Sequence, residues 1–166
     1  MYLMKTKKYI SNLYIFFVFY CIMFMGEIME QLTRSELRKN IMTILYQINV
    51  YDSNKVEYNV EDIIKEVNPI DNEFVKDIVY GVITHIDELD SIANSYLNKW
   101  TINRLGNTDQ SILRMGIYEL LYSNTPDIVV INEAVELAKL YSDDDVKNMI
   151  NGVLDKVYHN KVDHHE

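Results

Sequence analysis

An all-helical fold is predicted by three observations. From Thr33 onward apolar residues recur at intervals of three and four, no segment alternates apolar and polar residues as a half-buried strand would, and helix caps and breakers punctuate the chain at regular distances. A length of 166 residues predicts one domain, large enough to bury about two-thirds of its unfolded surface and to build a core without metals or disulfides. Three segments are expected: an apolar extension over 1–28, a helical domain over 29–160 and a frayed tail over 161–166.

The first helix starts at Thr33 followed by Glu36, a capping box in which each side chain satisfies an amide left free by the first turn. Leu37, Ile41, Ile44, Leu45 and Ile48 form its buried stripe, and Arg34, Arg38 and Lys39 are expected on the opposite side. The signal lapses at Asp52-Ser53-Asn54, a short helix is expected over 60–67, and Asn68-Pro69 ends it because the residue before proline avoids helical geometry. Phe74, Val75, Ile78, Val79, Val82, Ile83 and Ile86 make a stripe too wide for a surface helix, which predicts the central helix of a bundle, with Gly81 allowing close approach. A break near Asp87 leads to a second piece bearing Leu89, Ile92, Ala93, Tyr96, Leu97 and Trp100. Asn103 to Asp109 reads as a loop. Then come a helix through Ile112, Leu113, Gly116, Ile117, Leu120 and Leu121, stopped by Asn124-Thr125-Pro126, and two more over 130–141 and 144–158.

The amino terminus differs. Lys5, Lys7 and Lys8 precede an apolar run from Leu13 to Met25, which imitates a signal peptide but lacks a small-x-small cleavage site and is too short to span a bilayer as a helix. It reads as a start assigned upstream of Met23, Met25 or Met29, as a membrane-associated segment, or as a helix packed on the body. The lone cysteine, Cys21, cannot form an internal disulfide, which points to a reducing, cytoplasmic setting.

Enzymatic chemistry has few places to reside. The five glycines are isolated, so neither a phosphate-cradling loop nor a dinucleotide fingerprint exists. His85 sits on an apolar helix without a nucleophile beside it, and His164-His165 lack the spacing of a closed metal site. No cofactor, no resident metal and no catalytic residue are expected. Asp143-Asp144-Asp145 stands where a helix begins and reads as capping. The net charge is −9, and three lysines against one glutamate in 1–28 leave the remainder more acidic still. An acidic body seldom holds nucleic acid by its field alone. Its cations must be concentrated, or a basic partner must supply charge.

Taken by themselves, three cations on an amphipathic helix are a solvated face. Their context is more specific. Arg34-x3-Arg38-Lys39 leads to Leu45-Tyr46; then follow Phe74-x6-Gly81-Val82, Leu89-Asp90, Trp100-x3-Arg104-Leu105, the block Ser111 to Leu121, Ile131-Asn132-Glu133-Ala134-Val135-Glu136-Leu137-Ala138-Lys139 and Asn151-Gly152-Val153-Leu154-Asp155. In this order they resemble the NusB family of transcription antitermination factors, over about Thr33 to Val157.

That resemblance implies two packed three-helix bundles plus an additional helix, and a non-enzymatic function in ribosomal RNA transcription. Members bind boxA single-stranded RNA together with NusE, a small-subunit ribosomal protein, within the RNA polymerase antitermination complex. By position, Arg34, Arg38 and Lys39 would contact phosphates, Tyr46 and Tyr96 would either stack on bases or pack between helices with the hydroxyl at the rim, and Asp109 would border the RNA and partner surface. Three neutralised phosphates would give log affinity a slope of about −2 against log salt, which is weak binding without a partner. Arg38→Glu is then expected to lower RNA binding without shifting the melting temperature.

Arg114 and Glu119, five apart, face different ways and are not one local pair. Asn132 and Glu133 are expected to cap a helix or join bundles, and Asn151-Gly152 to make a close helix contact with a buried amide crosslink. Before that pair the family carries a lysine and an aromatic, whereas Asn148 and Met149 stand here. Two rival readings remain: the helical module that precedes some RNA cytosine methyltransferases, for which no cofactor domain is present, and an interaction module for NusE or a homodimer with little RNA binding.

Overall fold

The computed structural model describes residues 32–98 and 100–163, and among these every regular element is helical. The order is α1 (Arg34–Asn54), α2 (Val60–Val67), α3 (Glu73–Thr84), α4 (Ile86–Tyr96), a 3-10 turn (Ile102–Arg104), α5 (Asn107–Tyr122), α6 (Asp127–Tyr141) and α7 (Asp144–Asp163). The apolar extension over 1–28 and His164-His165 lie outside the described residues. No described helix is long and apolar enough to cross a membrane.

Side-chain amides start two of the helices. Asn59 Oδ1 accepts from the Glu61 and Asp62 amides at the head of α2, and Asn72 Oδ1 from those of Phe74 and Val75 at the head of α3. Each satisfies donors that the first turn cannot. Asp143 does the same for Val146, so the acidic run caps α7. The α3–α4 break falls at His85, whose Nδ1 pairs with the Gly81 carbonyl at 2.8 Å.

Packing yields the two three-helix groups. In the first α1 packs on α2 and α3, in the second α5, α6 and α7 pack mutually, and α4 is the additional helix against α5 and α7. The centre is α5, not α3 as the apolar stripe suggested. Every residue from Gln110 to Leu120 is buried, whereas α3 exposes Glu73, Asp77, Tyr80 and Thr84. Arg114 and Glu119 disguise α5 as amphipathic, and both are buried with partners.

Other expectations shift for local reasons. Asn107 to Asp109 is the first turn of α5, with Gly106 as its cap. Trp100 lies beyond the end of α4 and is 51% exposed. The tail continues α7 to Asp163, held where Lys161 Nζ reaches the Leu120 carbonyl at 2.7 Å and Asp127 at 2.9 Å. Asn151 is exposed and a Cβ on Gly152 would meet nothing within 4 Å, so the expected buried crosslink does not exist.

Candidate nucleic-acid interface

Helix α1 sorts its three cations into different environments. At 100° per residue, Arg38 falls on the flank of the stripe Leu37, Ile41, Leu45 and Ile48, and it is 2% exposed. Its Nε donates to Glu119 Oε1 at 2.9 Å, its Nη2 to Glu119 Oε2 at 2.7 Å, and its Nη1 lies 3.5 Å from Glu133 Oε2. Burial opposes the charge, but the hydrogen bond and field of Glu119, then Glu133, outweigh it and raise the guanidinium above its ordinary pKa. The expectation that Arg38 shares a solvated side with Arg34 and Lys39 is therefore overturned. A guanidinium in this position has no face to offer a phosphate.

Arg34 and Lys39 are exposed. The Arg34 guanidinium lies over the Phe74 ring, 4.0 Å from its centroid, and Arg38 flanks the same ring at 5.3 Å. Phe74 thus holds Arg34 in one orientation, a cation–π contact of about 0.5–1 kcal/mol at such a site. In the sequence Phe74 stands in the α3 stripe and in the Phe74-x6-Gly81-Val82 motif, and neither reveals its contact with Arg34. Tyr46 is 42% exposed and seven residues after Lys39, so the two share a face about 10 Å apart along the axis.

The lower half of α1 is fixed to α5. Asn49 Oδ1 accepts from Arg114 Nη1 at 2.8 Å while its Nδ2 donates to Ser111 Oγ at 3.2 Å, and Arg114 closes a two-point pair with Asp90 at 2.7 and 2.8 Å. Asp109, half-buried in the first turn of α5, accepts from the Ser142 hydroxyl and so ties that turn to the α6–α7 junction. Tyr96 stands apart from the α1 residues. It is half-buried on the core and lines a recess with Ile92, Leu121, Val157 and Lys161. Glu133 accepts from Ser35 Oγ at 2.9 Å and faces Arg38, so it joins α6 to α1 as one of its two expected roles required.

The result is a rigid helix that exposes Lys39 and the Tyr46 ring on one face and Arg34 about 140° round its axis, anchored by buried ion pairs. Comparisons with known proteins agree in sequence and in fold. The NusB family model matches residues 35–159. Transcription antitermination protein NusB of Staphylococcus aureus (strain JH9) is 45% identical over 127 residues, covering 76% of this chain and 98% of its own. Among solved structures, T. maritima NusB superposes with a TM-score of 0.67 at 28% identity, over 77% of this chain and 92% of that one. NusB from a crystal structure of antitermination factors NusB and NusE in complex with dsRNA gives 0.65 at 30% identity, over 76% and 96%. With its buried anchors, its helix order and its sequence all in agreement, the chain belongs to the NusB family of transcription antitermination factors.

Proposed function

We propose that this antitermination factor works in the cytoplasm, binding the boxA element of ribosomal RNA operon leaders together with NusE and promoting read-through by RNA polymerase. The observation that carries the RNA part is the exposed face of α1. Lys39 and Tyr46 stand two turns apart on it, while Arg34, held on Phe74, lies about 140° round the helix from Lys39. A cation and a ring at that spacing suit a phosphate and a neighbouring base of a single strand. Arg38 acts behind this face as a positioning residue.

The partner part follows from charge. Two phosphate contacts on a protein of net charge −9 bind weakly, and a basic ribosomal protein supplies what is missing. The related NusB was crystallised with NusE and double-stranded RNA, which supports both partners in kind. Anisotropy titration of a labelled boxA RNA, with and without NusE, tests the reading: the pair should bind much more tightly than either protein. Equal affinities would refute it. Full binding to NusE with no RNA binding would favour the interaction module.

A further inference from the structure

Trp100 is the only tryptophan in the sequence, and the fold leaves it 51% exposed. It sits between the end of α4 at Tyr96 and the 3-10 turn Ile102–Arg104. The Arg104 guanidinium lies over its ring, 5.5 Å from the centroid. Beside the indole opens a recess of about 360 Å³, lined by Asn98, Leu105, Asp145, Val146 and Met149. That volume lies at the lower end of the ~300–1,000 Å³ typical of ligand sites.

These features make one chemical arrangement. The indole offers a flat π surface, the guanidinium lies over it as a cation, and Leu105, Val146 and Met149 supply an apolar wall. We propose that Trp100 and Arg104 form a base-stacking subsite for single-stranded RNA, the base entering the recess and Arg104 meeting the adjoining phosphate. Stacking on an aromatic is tolerant of sequence because every base has a π face. Asp145 on the rim selects in the same sense: its carboxylate repels a second phosphate but accepts from the exocyclic amine of a base.

The subsite rests on the RNA-binding reading above and extends its surface. Leu105 immediately precedes the turn where Asp109 accepts from Ser142. Ser142 in turn leads to Val146 and Met149 through the Asp143 cap. The recess is thus lined by residues that flank, in the chain, the two segments joined by the Asp109–Ser142 hydrogen bond.

A single indole makes the test direct. Full-length protein with NusE is titrated with labelled single-stranded boxA RNA, following both RNA anisotropy and tryptophan emission, with Trp100→Phe setting the emission background. The indole signal should be quenched along the same isotherm as the anisotropy. Trp100→Ala should weaken binding roughly tenfold, Trp100→Phe much less, and neither should change the melting temperature appreciably. RNA binding with unaltered indole emission and unaltered Trp100→Ala affinity would overturn the subsite alone. Equal quenching by NusE without RNA would also overturn it, marking a protein contact. No anisotropy change at any concentration would overturn the RNA reading and the subsite with it.

Discussion

Arg38 and Glu119, eighty-one residues apart, close a two-point ion pair at 2.9 and 2.7 Å with both side chains almost fully buried. The pair joins α1 to the central helix, and Glu133 brings in α6. Removing one partner leaves the other charge buried and uncompensated, which costs about 3–5 kcal/mol. Arg38→Ala and Glu119→Ala should each lower stability by that order in urea unfolding. Arg38→Glu should be worse, because three carboxylates would then converge. The double replacement Arg38→Met with Glu119→Leu should recover most of the loss, since apolar residues of similar volume can replace a buried pair at little cost. This reverses the sequence-based expectation that Arg38→Glu would spare the melting temperature.

The exposed cations should behave in the opposite way. Arg34→Glu and Lys39→Glu are expected to weaken RNA binding while leaving the unfolding midpoint within about 0.5–1 kcal/mol, the most that the Phe74 contact of Arg34 contributes. With two phosphates neutralised, the slope of log affinity against log salt should be about −1.4, and each substitution should remove about 0.7. Titrations at several salt concentrations read this directly. A slope unchanged by both substitutions would place the contacts elsewhere.

The contrast between Arg34 and Arg38 marks how far the sequence can be read. Stripes such as Leu37, Ile41, Ile44 and Ile48 locate helices because burial repeats with the helical period. The order of motifs then names the family. What periodicity cannot reveal is a pairing such as Arg38–Glu119 or Arg114–Asp90, because a charge destined for burial looks the same in sequence as a solvated one. The wider stripe of α3 therefore predicts a centre that the buried charges of α5 occupy instead. The exposure of Lys39 was legible in the periodicity, whereas the face it shares with Tyr46 needed the helix itself. The setting of Trp100 was not legible, since it depends on α4 ending at Tyr96 and on Val146 and Met149 arriving from α7.

Two glycines should respond with opposite signs. A Cβ at Gly81 would stand 2.0 Å from Tyr118 Cζ, and that ring is wedged against His85 and Tyr122 at centroid distances of 5.9 and 5.2 Å. Gly81→Ala should therefore cost about 1–3 kcal/mol, as overpacking does in a filled core. Gly152 has open space around it inside α7. Gly152→Ala should stabilise by roughly 0.5–1 kcal/mol, the usual gain from replacing glycine in a helix interior. Denaturant unfolding of both variants beside the parent protein checks the pair.

Alkaline stability should depend on Tyr58. Burial first, then the hydrogen bond it donates to Asp52 at 2.8 Å, pushes its phenol from 10.0 up to about 12. Both causes favour the protonated form in the folded state. Between those two values the folded chain keeps a proton that the unfolded chain has released, so stability must fall as pH rises through this window. The contribution is complete below the unfolded value and gone above the folded one. Tyr58→Phe removes the titration, so its melting temperature should decline less steeply over the same range, although it starts lower by the lost hydrogen bond. Ultraviolet titration of tyrosinate should show the same group as a late component absent from the variant. Parallel melting curves for the two proteins across the window would show that Tyr58 ionises alike in both states.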